Sequence, residues 1–158
     1  MKNEVVILVA EDDAGHASLI RKNLLRAGLT NQILNFHDGL EILDFLFKRG
    51  AGPHRRPGVS YLLLLDIRMP GVDGVDVLRR IKADEEIRAL PVIMITTSDD
   101  PYEVERCHKL GCSCYIVKPV GYEKFIHAIR QLGLFLTVVQ LPTINGVLKD
   151  GENSEHNR

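Results

Sequence analysis

The sequence predicts a doubly wound α/β fold, in which helices cover both faces of a parallel sheet. Short apolar runs alternate with amphipathic segments five times along the chain, and the runs themselves show no polar–apolar alternation. The central run, residues 61–65, is a tyrosine followed by four leucines, and it leads into Asp66 and a Pro-Gly turn. Such runs are typical of strands buried on both faces. Asp66 would then lie at the carboxyl end of its strand, where open α/β sheets bind their ligands.

The composition is that of one globular domain, with 158 residues, 45% of them hydrophobic and 26% charged. A net charge of −1 gives no electrostatic reason to expect nucleic acid or an anionic membrane as a partner. No apolar run approaches the roughly 20 residues that span a bilayer, and the first residues lead directly into a strand, so we expect neither a membrane helix nor a signal peptide. Cys107, Cys112 and Cys114 fit neither a disulfide framework nor a zinc site. We expect free thiols in a cytoplasmic protein.

Five strands and one long loop are predicted. The strands are, in order, residues 5–9, 32–36, 61–65, 91–96 and 114–117, of which the second is weaker and is expected at an edge of the sheet. The loop, residues 50–60, contains three glycines and two prolines. Its Arg55-Arg56 pair is expected to be solvated, although a contact with a partner is the alternative.

The helices are predicted from their caps and apolar faces. The expected capping residues are Asp13, Asp38 and Asp100, and the third helix is expected to begin near Asp73. The buried faces are expected to include Ala17, Ile20, Leu24 and Ala27 in the first helix, which ends at Gly28, and Leu40, Leu43 and Phe47 in the second.

The last helix begins near Tyr122 and carries more apolar residues than one face needs. Its core face is predicted to be Phe125, Ile129, Leu132 and Leu136, which leaves Ile126, Phe135, Val138 and Val139. Either these residues pack under the following segment or they bury a second face in another subunit. Residues 143–158 are polar and aperiodic, so we expect one domain over residues 1–142 followed by a disordered tail.

Polar residues follow four of the predicted strands. They are Glu11 and Asp12, Asp66, Thr96 and Lys118. Because the carboxyl ends of parallel strands share one edge of the sheet, we expect these side chains to converge. Three carboxylates repel one another, and one lysine neutralises only part of their charge, so a hard divalent ion such as Mg²⁺ is expected among them.

This set of residues is suited to phosphoryl transfer. Asp66 would be the nucleophile and would form an acyl phosphate, while the metal, the Lys118 ammonium and the Thr96 hydroxyl stabilise the charge of the incoming group. An acid after a strand is common, and each residue alone is weak evidence. All five at strand ends are a specific signal.

Four motifs carry a family resemblance: Val9-Ala-Glu-Asp-Asp13, Leu65-Asp-Ile-Arg-Met-Pro-Gly-Val-Asp-Gly74, Ile95-Thr-Thr97 and Val117-Lys-Pro119. In order and spacing they resemble the receiver domain of two-component response regulators, over roughly residues 4–132. The resemblance implies a flavodoxin-like five-stranded parallel sheet in the order 2-1-3-4-5. It also implies a signalling protein that accepts a phosphoryl group and catalyses only its own phosphorylation and dephosphorylation.

The resemblance assigns roles around the acceptor. Asp66 matches the phosphoacceptor, Asp12 a direct Mg²⁺ ligand, and Glu11 a ligand acting through water. Arg68 occupies the position whose backbone carbonyl binds the metal. Its side chain departs from the asparagine or small polar residue often found there, and it either contributes to phosphoryl or kinase contacts or is simply solvated.

The remaining roles concern the switch. Thr96 matches the switch hydroxyl, and Tyr115 matches the aromatic residue that turns inward after phosphorylation. Lys118 matches the lysine that pairs with the acyl phosphate, and its bond to Pro119 is expected to be cis.

A narrower resemblance is to stand-alone regulators that serve phytochrome-type histidine kinases. The loop before the third strand, Thr96-Thr-Ser-Asp99, Cys114-Tyr-Ile-Val-Lys-Pro119 and Phe135-Leu-Thr-Val-Val-Gln-Leu-Pro142 carry it. It implies that the partner is a sensor histidine kinase of the bacteriophytochrome type. It also implies a homodimer through the last two helices and the fifth strand.

Three other classes of protein have an acidic residue or a turn at these positions. A phosphohydrolase with an aspartate nucleophile would have a second aspartate two residues after Asp66, where this chain has Arg68. A Rossmann protein would have G-x-G-x-x-G after the first strand, where this chain has Glu-Asp-Asp-Ala-Gly. A degenerate receiver that binds partners without being phosphorylated stays open.

Overall fold

A computed structural model describes residues 5–142 and residue 144. Strands and helices alternate along the whole of this part of the chain. The strands are β1 (Val6–Ala10), β2 (Ile33–Phe36), β3 (Tyr61–Leu65), β4 (Val92–Thr96) and β5 (Cys114–Val117). The helices are α1 (Ala14–Arg26), α2 (Gly39–Leu46), α3 (Gly74–Lys82), α4 (Pro101–Leu110) and α5 (Tyr122–Leu136). The predicted tail lies outside the described residues except for Ile144, so the division of the chain at residue 142 stays a prediction.

The five strands are parallel and lie in the order β2-β1-β3-β4-β5. The predicted doubly wound fold and its strand order are therefore confirmed, and β2 is an edge strand as expected. All five residues of β3 are buried because successive side chains of this central strand enter two different cores. Leu63 and Leu65 pack with α2 and α3, while Leu62 and Leu64 pack with α1 and α5.

Helix α5 packs as its pattern predicts. Phe125, Ile129, Leu132 and Leu136 are buried in the core shared with α1. Close contact between the two helices depends on Gly133, where an added Cβ would lie 2.6 Å from the Cβ of Ala27. Of the surplus apolar residues, Val139 packs against this core, whereas Phe135 and Val138 are 58% and 75% exposed. No helix among the described residues is both long enough and apolar enough to cross a bilayer.

The predicted buried face of α2 is wrong in part. Leu40 is 57% exposed, while Ile42, Leu43, Phe45 and Leu46 are buried. The reason is that the residues at positions 42, 45 and 46 form a wider apolar stripe at helical spacing than the single row through Leu40. The three predicted caps are confirmed, since Asp13, Asp38 and Asp100 each accept a hydrogen bond from a backbone N–H in the first turn of their helix. Asp73, where the third helix was expected to begin, caps α3 in the same way.

Two further expectations are wrong. Arg55 is 5% exposed, and its guanidinium donates to the carbonyl of Leu46 and to the carboxylate of Glu86, because the loop folds back over the end of α2. Only Arg56 of the pair is exposed. No cis peptide bond occurs among the described residues, so Lys118 and Pro119 are joined by a trans bond, the isomer that X–Pro bonds intrinsically favour.

Candidate functional site

The carboxyl edge of the sheet brings the predicted residues together. Glu11 and Asp12 follow β1, Asp66 follows β3, Thr96 ends β4 and Lys118 follows β5. One carboxylate oxygen from each of Glu11, Asp12 and Asp66 lies within 4.8 Å of the others. The Lys118 Nζ lies 2.7 Å from Glu11 Oε2 and 3.2 Å from Asp66 Oδ2. The sequence therefore predicted the meeting of Glu11, Asp12, Asp66 and Lys118, although it gave no distances, and Thr96 lies at the end of the strand next to β3.

The local backbone explains how Asp66 is presented. Its N–H donates to the carbonyl of Ala10 at 3.0 Å, which continues the pairing of β1 and β3 past the last residue of the strand. The chain then turns back, and the N–H of Gly74 donates to the carbonyl of Ile67 at 2.8 Å. A Cβ at Gly74 would lie 2.0 Å from the Asp66 carbonyl oxygen. The first residue of α3 must therefore be glycine for the helix to pack this closely against the Asp66 backbone.

The charges at this edge are not balanced. Glu11, Asp66 and Lys118 are all buried, so one ammonium faces two carboxylates away from bulk water, with Asp12 at the surface beside them. Burial raises the pKa of Glu11 to about 7, although the Lys118 hydrogen bond opposes this rise. Asp66 Oδ1 is buried and has no hydrogen-bond partner among the described residues. A buried carboxylate oxygen without a partner is costly and calls for an explanation.

A divalent cation fits this donor set. Carboxylate oxygens are the ligands that hard cations such as Mg²⁺ and Mn²⁺ bind in proteins. An ion between Glu11, Asp12 and Asp66 would supply the positive charge that Lys118 alone does not. It would also give Asp66 Oδ1 a partner. The cluster can therefore hold a divalent metal.

A chain of contacts leads from the acceptor loop to α4 and β5. The side chain of Arg68 is 70% exposed, and its Nη2 lies 3.7 Å from Glu103 Oε1. The other oxygen of Glu103 accepts a hydrogen bond from the Ser98 hydroxyl. The Ser98 carbonyl accepts from the Tyr115 hydroxyl at 2.7 Å, and the Ser98 N–H donates to Thr96 Oγ1 at 3.4 Å. The two predicted switch residues are thus joined through Ser98.

The sequence reading missed three members of this site. Ser98 and Glu103 were seen only as parts of a loop and of a helix start. His16 was not singled out, yet its Nδ1 lies 3.1 Å from the Lys118 Nζ. A single histidine in the first turn of a helix carries no signal of its own. The contact becomes visible only in the fold, which places the start of α1 beside Lys118, the residue after β5.

Comparisons with known proteins establish the class. The family model described as the response regulator receiver domain matches residues 7–130, so the chain belongs to the response regulator receiver family. The chain is similar to the response regulator Rcp1 of Synechocystis, with 30% identity over 139 residues that cover 87% of this chain and 92% of Rcp1.

Solved structures agree. A receiver domain from Rhodospirillum rubrum is 45% identical and superimposes with a TM-score of 0.84, covering 89% of this chain and 99% of that one. The Mn²⁺-bound form of Rcp1 has a TM-score of 0.79 at 28% identity, over 87% of this chain and 99% of that one. The phosphorylated cyanobacterial phytochrome response regulator RcpA has a TM-score of 0.76 at 26% identity, over 87% and 98%. The chain is thus similar to regulators that serve phytochromes, as the sequence motifs indicated.

Proposed function

We propose that this protein is a single-domain response regulator that accepts a phosphoryl group on Asp66 from a sensor histidine kinase, with Mg²⁺ in the acidic cluster. The observation that carries the proposal is the environment of Asp66. One carboxylate oxygen is held 3.2 Å from the Lys118 ammonium, and the other is buried without a partner beside Glu11 and Asp12. The related Rcp1 has been crystallised with Mn²⁺ and RcpA in a phosphorylated form, which supports both parts of the proposal.

The chain's own residues account for most of the chemistry. An Asp66 carboxylate oxygen attacks phosphorus. A new P–O bond forms as the bond to the donor's leaving atom breaks, and the donor keeps the electron pair. The Lys118 ammonium is placed to bind a phosphoryl oxygen, and Thr96 has a hydroxyl that can donate to another. A bound divalent cation supplies positive charge for the phosphoryl oxygens. Arg68 would contribute its backbone carbonyl to the metal, while its side chain pairs with Glu103.

Switching would use the contacts around Ser98. If Thr96 moves toward the phosphoryl group, it leaves the Ser98 N–H, and the loop that carries the Ser98 carbonyl can shift. Tyr115 would then exchange its bond to that carbonyl for a more buried position. Phosphorylation would in this way shift the population of surfaces formed by α4, β5 and α5.

The same surface is the proposed site of homodimer formation in the cytoplasm. Val117, Leu134, Phe135 and Val138 are large apolar residues on or just after β5 and α5, and all are exposed in the single chain. Their exposure, and the similarity to Rcp1 and RcpA, support a dimer and a phytochrome-type kinase as the partner. Sedimentation with and without phosphodonor should show a dimer that Phe135→Glu disrupts. A monomer under both conditions would contradict this part.

The central test is phosphorylation from a small donor. Acetyl phosphate with Mg²⁺ should give a phosphoprotein that is stable in acid and labile in base, and EDTA or Asp66→Asn should abolish it. Glu85→Gln, an exposed acid after α3, is the matched control and should be phosphorylated normally. Absence of phosphoprotein in the parent would favour the degenerate receiver that acts as a scaffold. If acetyl phosphate phosphorylates the parent, phosphotransfer from a phytochrome-type kinase should also be faster than from an unrelated histidine kinase.

A further inference from the structure

The Lys118 ammonium has three acceptors around it. Its Nζ lies 2.7 Å from Glu11 Oε2, 3.2 Å from Asp66 Oδ2 and 3.1 Å from His16 Nδ1. An ammonium has three hydrogens and no lone pair. The histidine must therefore be the acceptor in the third contact, with an unprotonated Nδ1 and its hydrogen on Nε2. Together these contacts use every hydrogen of the group.

The ring of His16 packs against another helix. Its imidazole lies against the buried ring of Phe125 on α5, with 5.5 Å between the ring centroids and 51° between the planes. The backbone of α1 is fixed at this position by the helix cap, since the His16 N–H donates to Asp13 Oδ1 at 3.0 Å. The ring is thus held between α1 and α5, with its Nδ1 facing Lys118 and Glu11.

We propose that His16 is a positioning residue for phosphoryl transfer, which orients the Lys118 ammonium between Glu11 and Asp66. The inference rests on the proposed function. Lysine has a flexible four-carbon chain, and its charge is attracted most closely to Glu11, the partner at 2.7 Å. A third acceptor, the His16 Nδ1, which itself lies 3.9 Å from Glu11 Oε1, fixes the third N–H direction. The other two hydrogens are then divided between Glu11 and Asp66.

The position of His16 also places it at the approach to the lysine. A cavity of about 370 Å³ opens beside Lys118, and His16, Thr97, Tyr122 and Phe125 form part of its wall. Because Lys118 itself also lines this cavity, its contact with the imidazole keeps the ammonium turned toward the acids. Without it, the Lys118 Nζ could turn toward the cavity and its solvent, away from the phosphoryl group that Asp66 receives.

The test separates hydrogen bonding from packing. Asparagine can place its Oδ1 near the position of the histidine Nδ1, while leucine can pack against Phe125 but accepts no hydrogen bond. We expect His16→Leu to slow Mg²⁺-dependent phosphorylation by acetyl phosphate about five- to tenfold, which is the factor that the net loss of one hydrogen bond implies. His16→Asn should stay within about twofold of the parent on the same basis. His127→Leu, at an exposed position of α5, is the matched control and should have no effect.

A second measurement needs no phosphorylation. In the metal-free protein, the ¹⁵Nζ resonance of Lys118 should shift in His16→Leu and remain near its parent position in His16→Asn. Thermal melting would confirm that both variants are folded. Equal slowing in the two variants, or unchanged rates and resonances in His16→Leu, would overturn the proposal. If the parent itself accepts no phosphoryl group, the proposed function fails, and the resonance of Lys118 still tests the positioning by His16.

Discussion

Two regions of this molecule bury a basic side chain, and they do so in opposite ways. Arg55, in the loop between α2 and β3, donates from Nε to the Leu46 carbonyl and from Nη2 to Glu86 Oε2, both at 2.7 Å. The side chain of Glu86 is itself 70% exposed, so only one charge of this pair is buried. Lys118, at the carboxyl edge of the sheet, is buried together with two acids, Glu11 and Asp66.

The two surroundings distinguish a buried charge that stabilises the fold from one that lies in a candidate binding site. Around Arg55 the positive charge has a solvated counterion, and the guanidinium satisfies a carbonyl at the end of α2 that would otherwise lack a donor. Around Lys118 the acids outnumber the base, the pKa of Glu11 is raised to about 7 and Asp66 Oδ1 has no partner. Burial of charge is common to both regions. The surplus of negative charge marks the one that is suited to bind a cation.

The largest effect that this comparison predicts is on stability, at Arg55. Arg55→Met keeps most of the apolar volume but leaves the Leu46 carbonyl buried without its donor. We expect the free energy of unfolding to fall by about 2–3 kcal/mol, the cost of such an unsatisfied group together with the lost ion pair. Urea unfolding measures it. Phosphorylation of the folded variant by acetyl phosphate should be unchanged.

The neighbouring arginine provides the control. Arg56 is exposed, and its backbone N–H rather than its side chain contacts the Tyr61 hydroxyl. Arg56→Met should therefore change the stability by less than about 0.5 kcal/mol. Equal losses of stability in Arg55→Met and Arg56→Met would show that the loop depends on its positive charge in general and not on the buried contacts of Arg55.

The residues at the carboxyl edge of the sheet were predicted from the sequence far better than the burial of the side chains in the loop of residues 50–60. Asp66, Thr96 and Lys118 each follow an unbroken apolar run, and parallel pairing then places all the strand ends at one edge. Their convergence depends only on strand direction, which the alternation of strands and helices already implies. The caps were equally predictable because each Asp contacts a backbone N–H only two or three residues further along the chain.

Contacts between elements could not be predicted in this way. Arg55 and Arg56 are adjacent and chemically identical, and what buries one of them is the end of α2 together with Glu86, which lies 31 residues away. The same is true of His16, whose contact with Lys118 spans 102 residues. Ser98 is a loop serine whose role as the link between Thr96 and Tyr115 depends on how β4 and β5 are aligned. No local pattern encodes these pairings.

A smaller effect is predicted at the carboxyl edge, and it depends on pH. Burial raises the pKa of Glu11 from 4.5 to about 7, so between these values the folded protein holds a proton that the unfolded chain has lost. Stability must then decrease as the pH rises through this window. In EDTA, we expect the free energy of unfolding to fall by about 1–2 kcal/mol between pH 5 and pH 8 on account of Glu11, a discounted conversion of the raised pKa.

The comparison with Glu11→Gln isolates this contribution. Glutamine does not titrate, so the variant should lack this part of the pH dependence, while every other group is common to both proteins. Chemical unfolding at several pH values, without metal, gives the difference between the two curves. Arg55→Met should instead lose the same free energy at every pH in this range, because the Leu46 carbonyl that it leaves without its donor does not titrate. Parallel curves for the parent and Glu11→Gln would show that Glu11 is already balanced by Lys118, and the surplus negative charge that distinguishes the two regions would not exist.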